Sequence, residues 1–224
     1  MIRNFIMALL CTLFIGACTV TPDGPKQAVN LSAQLKQVAQ VDTWELRGKM
    51  AFRRGDEAAS ANLRWKTDGD DFHFRLTNML GVTMVSMVVD DNGAVLEADG
   101  ETYKDAVPAP LIYYATGMDV PVAPLLSWIK GMPLATDTYT LNDKGLLATL
   151  RSGCSGCQGW DVSYSNYGSV TFSDSVNDSA QKQVWLPHLI TLTQEPIQPP
   201  PTYSETAPSL TTTLKIRIYQ WTIP

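Results

Sequence analysis

The sequence is poor in metal-binding residues and has no excess of positive charge. Its 224 residues include four Cys and two His, which leave little for a metal site. Lys and Arg number 17 against 22 Asp and Glu, which gives a formal net charge of -5. Because phosphate binding needs a basic surface, this balance disfavours a nucleic-acid partner. Hydrophobic residues make up 45% of the chain, enough to bury a core and to exclude intrinsic disorder.

Motifs for nucleotide binding or hydrolysis are also missing. The chain contains neither GxxxxGK[ST] nor GxGxxG, and no GxSxG nucleophile elbow. His73 lies on the polar side of its strand and His188 follows a proline, so surface or packing roles are favoured for both. Acidic residues cluster at turn sequences, where they are solvated: Asp70, Asp71, Asp90 and Asp91. We therefore predict no enzyme, no catalytic residue and no metal; an enzyme would need an unrecognised nucleophile.

The apolar run at the N-terminus, residues 5–17, is too short to cross a bilayer. It follows Arg3 and is typical of a secretory signal peptide. It ends in Ile15-Gly16-Ala17-Cys18, which resembles the lipobox of bacterial lipoproteins. We predict a signal peptide over 1–17 and a lipidated tether over 18–25, with Cys18 carrying a diacylglycerol and an N-acyl chain. The alternative is an ordinary signal peptide with an incidental Cys.

The sequence after Cys18 indicates the compartment. By resemblance to lipoprotein sorting, Thr19 rather than Asp beside the lipidated residue favours the outer membrane. Cys154 and Cys157 remain as a pair in a Gly/Ser-rich loop without partners for a zinc site. They are interpreted as a disulfide of an exported protein or as two unreactive thiols.

Most of the remaining chain, 26–224, follows a two-residue period that predicts β-strands in a single domain. Trp44, Leu46, Met50 and Phe52 alternate with polar residues, as do Leu63 and Trp65, and then Phe72, Phe74 and Leu76. About ten or eleven strands are predicted, so the fold class is mainly β, with an apolar sheet face that must be covered. An amphipathic helix is predicted over 26–40 and two short helices between 108 and 131. These two would form the cover through Leu111, Ile112, Leu125, Trp128 and Ile129.

Six segments in order along the chain resemble the LolB family of outer-membrane lipoproteins. They are Trp44–Lys49, Leu76–Gly81, Thr116–Pro121, Ser127–Pro133, Gly159–Tyr164 and the strand Leu214–Trp221. The sequence departs from the family pattern at Met79, in the Cys154/Cys157 loop and in the Pro-rich stretch 195–209.

The resemblance implies an incomplete antiparallel β-barrel with a helical lid over an apolar cavity for acyl chains. The predicted lining comprises Trp44, Met50, Phe52, Leu63, Trp65, Phe72, Phe74, Leu76, Leu111, Ile112, Leu125, Trp128 and Ile129. From the residues alone, a filled hydrophobic core explains the same pattern. Leu80 lies in a turn-like setting where polar residues are expected; it either folds back onto the sheet or, as the resemblance implies, inserts into the membrane.

The implied function is that of a monomeric outer-membrane lipoprotein receptor on the periplasmic face. It would take client lipoproteins by their acyl chains from a periplasmic carrier resembling LolA and insert them into outer-membrane lipid without nucleotide hydrolysis. No cofactor is expected beyond the acyl groups on Cys18. Two alternatives remain: a lipidated calyx that binds a small apolar ligand, and a structural envelope lipoprotein with a solid core.

Overall fold

A computed structural model of the chain describes residues 24–116, 119–157, 159–174, 177–195 and 210–224. The predicted signal peptide, Cys18 and residues 196–209 of the Pro-rich stretch lie outside these ranges. The elements, in chain order, are α1 Leu31–Val38, β1 Thr43–Arg54, β2 Glu57–Asp68, β3 Asp71–Thr77, β4 Thr83–Asp90, β5 Gly93–Ala98, β6 Glu101–Asp105, α2 Pro108–Thr116, α3 Val122–Trp128, β7 Thr138–Leu141, β8 Leu147–Arg151, β9 Trp160–Asp174, β10 Asn177–Gln194 and β11 Thr212–Thr222.

The 11 strands form one antiparallel sheet in the order β6-β5-β4-β3-β2-β1-β11-β10-β9-β8-β7. The sheet starts at β6 and ends at β7, so it is an incomplete barrel. The predicted mainly β fold with an open antiparallel barrel and short helices is therefore confirmed. Within the described ranges, none of the helices has the length and apolarity that a membrane crossing requires.

Strand β1 pairs with β2 on one side and with β11 on the other, so the first and last strands are neighbours in the sheet. The register with β11 shifts between Arg47 and Gly48. A side chain at Gly48 would collide with the backbone carbonyl of Arg217. Glycine at this position therefore permits the close approach of the first and last strands.

Consecutive strands in a meander place alternate hairpin turns at the same end of the sheet. The β1–β2 turn at Gly55, the β3–β4 turn at Leu80 and the β5–β6 turn at Asp99 share one end, here called the upper end. The β2–β3 and β4–β5 turns share the opposite, lower end. The three turns at the upper end can therefore contact the same surface, whereas the turns at the lower end cannot.

The inner face of the sheet carries an aromatic cluster. The ring centroid of Trp44 lies 5.5 Å from that of Trp65 and 5.2 Å from that of Trp221, in edge-to-face geometry. Trp65 also contacts Phe74, with ring centroids 5.5 Å apart. Edge-to-face pairs add about 0.5–1.5 kcal/mol each to the burial of their area. The cluster links β11, β1, β2 and β3 into one core.

Helix α1 is attached to the sheet by side-chain hydrogen bonds to the backbone of β10. The side chain of Asn30 caps it by accepting a hydrogen bond from the Ala33 amide at 2.9 Å. Gln34, buried on α1, donates to the carbonyl of Trp185 at 2.7 Å and accepts from its amide at 3.3 Å. Two hydrogen bonds to the backbone of β10 fix the helix in place.

The structure differs from the sequence-based expectations at several elements. Helix α1 begins at Leu31 rather than at residue 26, because Asn30 caps it. Strand β6, Glu101–Asp105, was not among the predicted strands, because Tyr103 alone interrupts its polar, exposed residues. Strands β9 and β10 extend well beyond the predicted segments.

Candidate functional site

An apolar cavity of about 180 Å³ lies between the sheet and helices α2 and α3. Strands β1 to β5 and β11 line one side of it, and residues from α2 to α3 line the other. Every lining side chain except Asp99, at the upper end, is hydrophobic or aromatic. Such a lining offers water few hydrogen bonds and suits an apolar ligand.

The structure brings seven of the thirteen predicted lining residues together around this cavity. They come from three neighbouring strands and both cover helices: Met50, Trp65, Phe72, Phe74, Leu76, Ile112 and Leu125. Their alternation along the strands points all of the strand residues to the inner face. The two-residue period therefore identified the face of the sheet that meets the helices.

The remaining six predicted residues do not line the cavity, which corrects that part of the prediction: Trp44, Phe52, Leu63, Leu111, Trp128 and Ile129. Five of them are buried in packed core, and Phe52 is half-buried near the upper end. A two-residue period assigns a side chain to a face but gives no position along the barrel axis. The strands extend beyond the cavity, so residues on the correct face pack elsewhere.

Some lining residues were not predicted. Val85 and Met87 on β4 face the cavity, yet Met84 and Val88 on the same strand are also apolar and exposed. With apolar residues on both faces, this strand has no clear alternation. Ala98 also lines the cavity, and its small side chain leaves part of the space open.

One polar atom of the cavity wall has no partner. The indole Nε1 of Trp65 is buried and makes no hydrogen bond within the described residues. The Oη of Tyr164 is the other such buried atom, and burial raises the pKa of this phenol well above its ordinary value. An unsatisfied buried donor costs about 1–3 kcal/mol. Among the cavity residues, the Trp65 indole is therefore a candidate donor to a ligand carbonyl.

Helix α3 is bonded to its surroundings at its C-terminal end. The Nε1 of fully buried Trp128 donates to Oδ2 of Asp137 at 2.8 Å, and Asp137 also accepts from the amides of Leu134 and Gly153 at 2.8 and 3.1 Å. The Nζ of Lys130 donates to the Val41 carbonyl at 2.8 Å, and burial lowers the pKa of this lysine. Helix α3 is thus a fixed part of the cover.

Helix α2 forms the other part of the cover over the cavity. It packs on β5 and β6, the last two strands at one edge of the sheet. Leu111 is buried and Ile112 lines the cavity, whereas Tyr113 and Tyr114 are exposed on the outer side. The ring of Tyr114 lies 4.8 Å from that of Tyr103, centroid to centroid. Helix α2 thus meets the edge of the sheet through apolar side chains and through Tyr114, whose side chain is hydrogen-bonded to that of Tyr103.

Cys154 and Cys157 form a disulfide across a four-residue loop, with Cα atoms 5.4 Å apart. The residue before Cys154 is Gly153, whose backbone amide donates a hydrogen bond to Oδ1 of Asp137. The loop is therefore connected to the same carboxylate that receives Trp128 from α3. Of the two states left open for these cysteines, the structure contains the disulfide.

The β3–β4 turn exposes hydrophobic side chains at the upper end. Met79 and Leu80 are both 89% exposed, and Val82 is 59% exposed. Asn78 fixes the backbone of the turn, since its Oδ1 accepts from the amides of Leu80 and Val82 at 2.9 and 3.0 Å. In this conformation the turn presents Leu80 to solvent rather than to the sheet, and its insertion into a membrane stays a prediction.

Both histidines lie in hydrogen-bonded positions on the sheet. The Nε2 of His73 lies 3.2 Å from the Ser86 hydroxyl, and the Nδ1 of His188 lies 3.0 Å from the Ile218 carbonyl. Burial lowers the pKa of both rings. Within the described ranges, no three His, Cys, Asp or Glu side chains are grouped so that they could hold a metal ion.

A second depression, of about 470 Å³, lies on the outer side of strands β7 to β10. Thr and Ser side chains line much of it, together with Arg151 and Asp161, whose Nε and Oδ1 atoms are 2.8 Å apart. This polar groove is larger than the inner cavity but would give an apolar chain little shelter from water. The inner cavity is therefore the stronger candidate site.

Together, the strands and the cover helices define an open antiparallel β-barrel that encloses an apolar cavity and exposes a hydrophobic turn at its upper end. The family model described as "Outer membrane lipoprotein LolB" matches residues 42–221. The chain therefore belongs to the LolB family, and its family is one of outer-membrane lipoproteins.

Two LolB proteins agree with this assignment. The chain is 33% identical over 173 residues to the outer-membrane lipoprotein LolB of Vibrio cholerae, covering 76% of this chain and 82% of that protein. It is 29% identical over 219 residues to the LolB of Aeromonas hydrophila, covering 97% and 96% respectively. A solved LolA-superfamily protein from Nitrosomonas europaea is 5% identical with a TM-score of 0.31, covering 88% of this chain and 94% of that one.

Proposed function

We propose that this protein accepts acylated lipoproteins from a periplasmic carrier resembling LolA and inserts them into the outer membrane. The observation that carries the proposal is the apolar cavity under α2 and α3, with the exposed Leu80 turn at the upper end of the same sheet. The cavity would receive acyl chains of the client. The turn would contact the bilayer that finally takes them.

The energy of an exposed acyl chain explains why a receptor is needed. Each buried methylene is worth about 0.8 kcal/mol, so a chain of about 14 methylenes costs on the order of 10 kcal/mol to expose to water. Transfer through water without a carrier is therefore extremely slow. No nucleotide-binding motif occurs in the sequence, so we propose that transfer runs downhill from carrier to receptor to membrane, with no catalytic step.

The cavity must enlarge to hold such a chain. Its volume of about 180 Å³ is below the ~300 Å³ at which ligand pockets usually begin. Helix α3 is bonded through Trp128 and Lys130, whereas α2 packs on β5 and β6 at the edge of the sheet. We therefore propose that α2 moves away from β5 and β6 when an acyl chain enters. The Trp65 indole would then donate to a carbonyl at the head of the chain.

The anchor of the receptor is part of the same proposal. Cys18 would carry a diacylglycerol and an N-acyl chain, and residues 18–25 would tether the domain to the periplasmic face of the outer membrane. Stable anchoring requires two or more acyl chains, which this modification supplies. The protein would act as a monomer, because each chain contains a complete cavity and turn.

A purified system tests acceptance directly. A chain that starts at residue 18 with Cys18→Ser keeps the core, whose residues run from Val38 to Trp221. It is incubated with an acylated client bound to its carrier and then recovered by an affinity tag. We expect the client to be recovered with the receptor, and a client without acyl chains to be absent. Failure of transfer from a carrier that still serves another receptor would contradict the proposal.

One observation favours a second function. A cavity of about 180 Å³ resembles in size the ~150 Å³ engineered cavities that bind benzene-sized molecules. The protein would then be a calyx for a small apolar ligand and would not need a carrier. Binding of short-chain fatty acids, together with failure to accept a client, would favour the calyx.

A further inference from the structure

The outer face of four adjacent strands carries a concentration of positive charge. We define the basic face as the outward cationic side chains of β3, β2, β1 and β11, which are Arg75, Arg64, Lys66, Arg47, Lys49, Arg53, Lys215 and Arg217. These are eight of the 17 Lys and Arg residues in a chain with a net charge of -5. Within these four strands, the outward acids are Glu45 and, at the lower turn, Asp68 and Asp71.

The strand register places like charges opposite each other on this face. Arg64 lies opposite Arg47 on one side and Arg75 on the other, and Lys49 lies opposite Arg217. Like charges in directly opposed positions destabilise a sheet. The fold therefore tolerates this face at some cost in stability.

One carboxylate relieves part of this repulsion. Glu45 accepts hydrogen bonds from Arg64 and Arg47 at 2.8–2.9 Å, and these hold its pKa at about 2. Within the described residues, no carboxylate lies in ion-pair distance of Lys49, Lys215 or Arg217. Cations left without counter-ions on one surface are available to an anionic partner.

The exposed hydrophobic turn adjoins the basic face. The side-chain Nδ2 of Asn62 on β2 donates a hydrogen bond to the backbone carbonyl of Asn78 at 3.1 Å. This bond fixes the turn to a strand of the basic face. In axial position Leu80 lies beyond the Asn62–Lys49–Arg217 row, towards the upper end. Met84, on the outer side of β4, extends the hydrophobic surface towards Arg75.

We propose that the basic face binds an anionic phospholipid surface and orients the Leu80 turn towards the bilayer. Exposed apolar residues bordered by Lys and Arg are typical of surfaces that dock at a membrane interface. An acidic protein partner would satisfy the cations but would not explain the exposed Leu and Met residues. The inference rests on the proposed function only for the role of Leu80.

Vesicle binding tests the basic face. The chain from residue 18 with Cys18→Ser is sedimented with vesicles of phosphatidylcholine alone, or with about one fifth phosphatidylglycerol, at salt concentrations of about 50 and 500 mM. The test variant carries Lys49→Gln, Lys215→Gln and Arg217→Gln. The control variant carries Lys26→Gln, Lys36→Gln and Lys104→Gln, which removes the same charge from exposed positions outside the basic face.

Each cation near an anionic surface contributes about fivefold to binding, so the test variant, which loses three cations, should bind anionic vesicles on the order of 100-fold more weakly at low salt. The control variant should bind like the parent protein, and high salt should abolish the difference. Removal of opposed like charges should leave thermal stability unchanged or raised, which excludes misfolding as the cause.

Two results would overturn the inference. One is equal binding of both variants to anionic vesicles. The other is normal vesicle binding by the test variant with loss of transfer from the carrier in solution, which would assign the face to an acidic protein. Client acceptance is measured without vesicles, so failure of the proposed function would be seen separately from failure of the basic face.

Discussion

Trp128 and Asp137 join the fixed helix of the cover to the sheet, with the indole Nε1 donating to Oδ2 at 2.8 Å. Trp128 is fully buried, and Asp137 also accepts from two backbone amides. Because neither partner reaches solvent freely, this bond is part of the core rather than of the surface. It holds α3, which forms part of the cavity wall, in place.

Replacement of Asp137 should test this wall. Asp137→Ala leaves the Trp128 indole and the amides of Leu134 and Gly153 without their acceptor, so we expect a loss of about 3 kcal/mol in the free energy of unfolding. Urea denaturation measures the loss. Asp143→Ala is the control, because the Asp143 side chain is 81% exposed and should contribute less than about 0.5 kcal/mol. Equal effects would contradict the structural role.

Leu80→Glu should separate acceptance from insertion. The side chain is 89% exposed, so folding and uptake of the client should be unchanged. A carboxylate within the bilayer costs about 2.5 kcal/mol or more, so incorporation of the client into membranes should fall on the order of 70-fold. Flotation of vesicles after transfer measures incorporation. Leu141→Glu on edge strand β7 is the matched control, and normal incorporation by Leu80→Glu would refute the membrane role of the turn.

Ala98→Leu should change stability and function in opposite directions. The larger side chain fills part of the cavity of about 180 Å³, so we expect up to about 1 kcal/mol of added stability. The same filling should reduce recovery of the acylated client. Ala51→Leu makes the same chemical change on the outer face of β1 and should leave recovery unchanged. A stabilised Ala98→Leu protein with full client recovery would mean that the cavity does not receive the acyl chain.

Glu45→Gln should reveal the electrostatic balance of the outer face. Bonds to Arg64 and Arg47 lower the pKa of Glu45 from 4.5 to about 2, so its ionised form stabilises the fold above pH 4.5. We expect Glu45→Gln to lose on the order of 1 kcal/mol at neutral pH, because the arginines are largely exposed. The difference from the parent protein should vanish as the pH falls from 4.5 towards 2.

Sequence patterns identified most of the sheet because the two-residue period is strong wherever one face is buried. Apolar and polar residues alternate from Trp44 to Arg53, apart from Gly48 and Ala51, and from Leu63 to Lys66, and both segments lie in strands. Strand β6 lacked this signal, because it pairs with a single neighbour at the edge of the sheet. An edge strand of polar residues resembles a loop in sequence.

The site was only partly predictable for a different reason. Lining residues such as Met50 and core residues such as Leu63 follow the same period on the same face, and their separation depends on height along the barrel. The basic face could not be predicted from the sequence either. The overall excess of acids gave no sign of the basic face, which exists because strand pairing gathers Arg47, Arg64 and Arg75 into one row.

Photochemical crosslinking from inside the cavity tests whether an acyl chain of the client enters it. Benzoylphenylalanine replaces Phe74, which lines the cavity, or Tyr139, which is exposed on edge strand β7. Each protein receives a client with radiolabelled acyl chains from the carrier and is then irradiated. We expect radiolabel on the protein modified at Phe74 and little on the protein modified at Tyr139. Efficient transfer with no label at 74 would contradict an acyl chain inside this cavity.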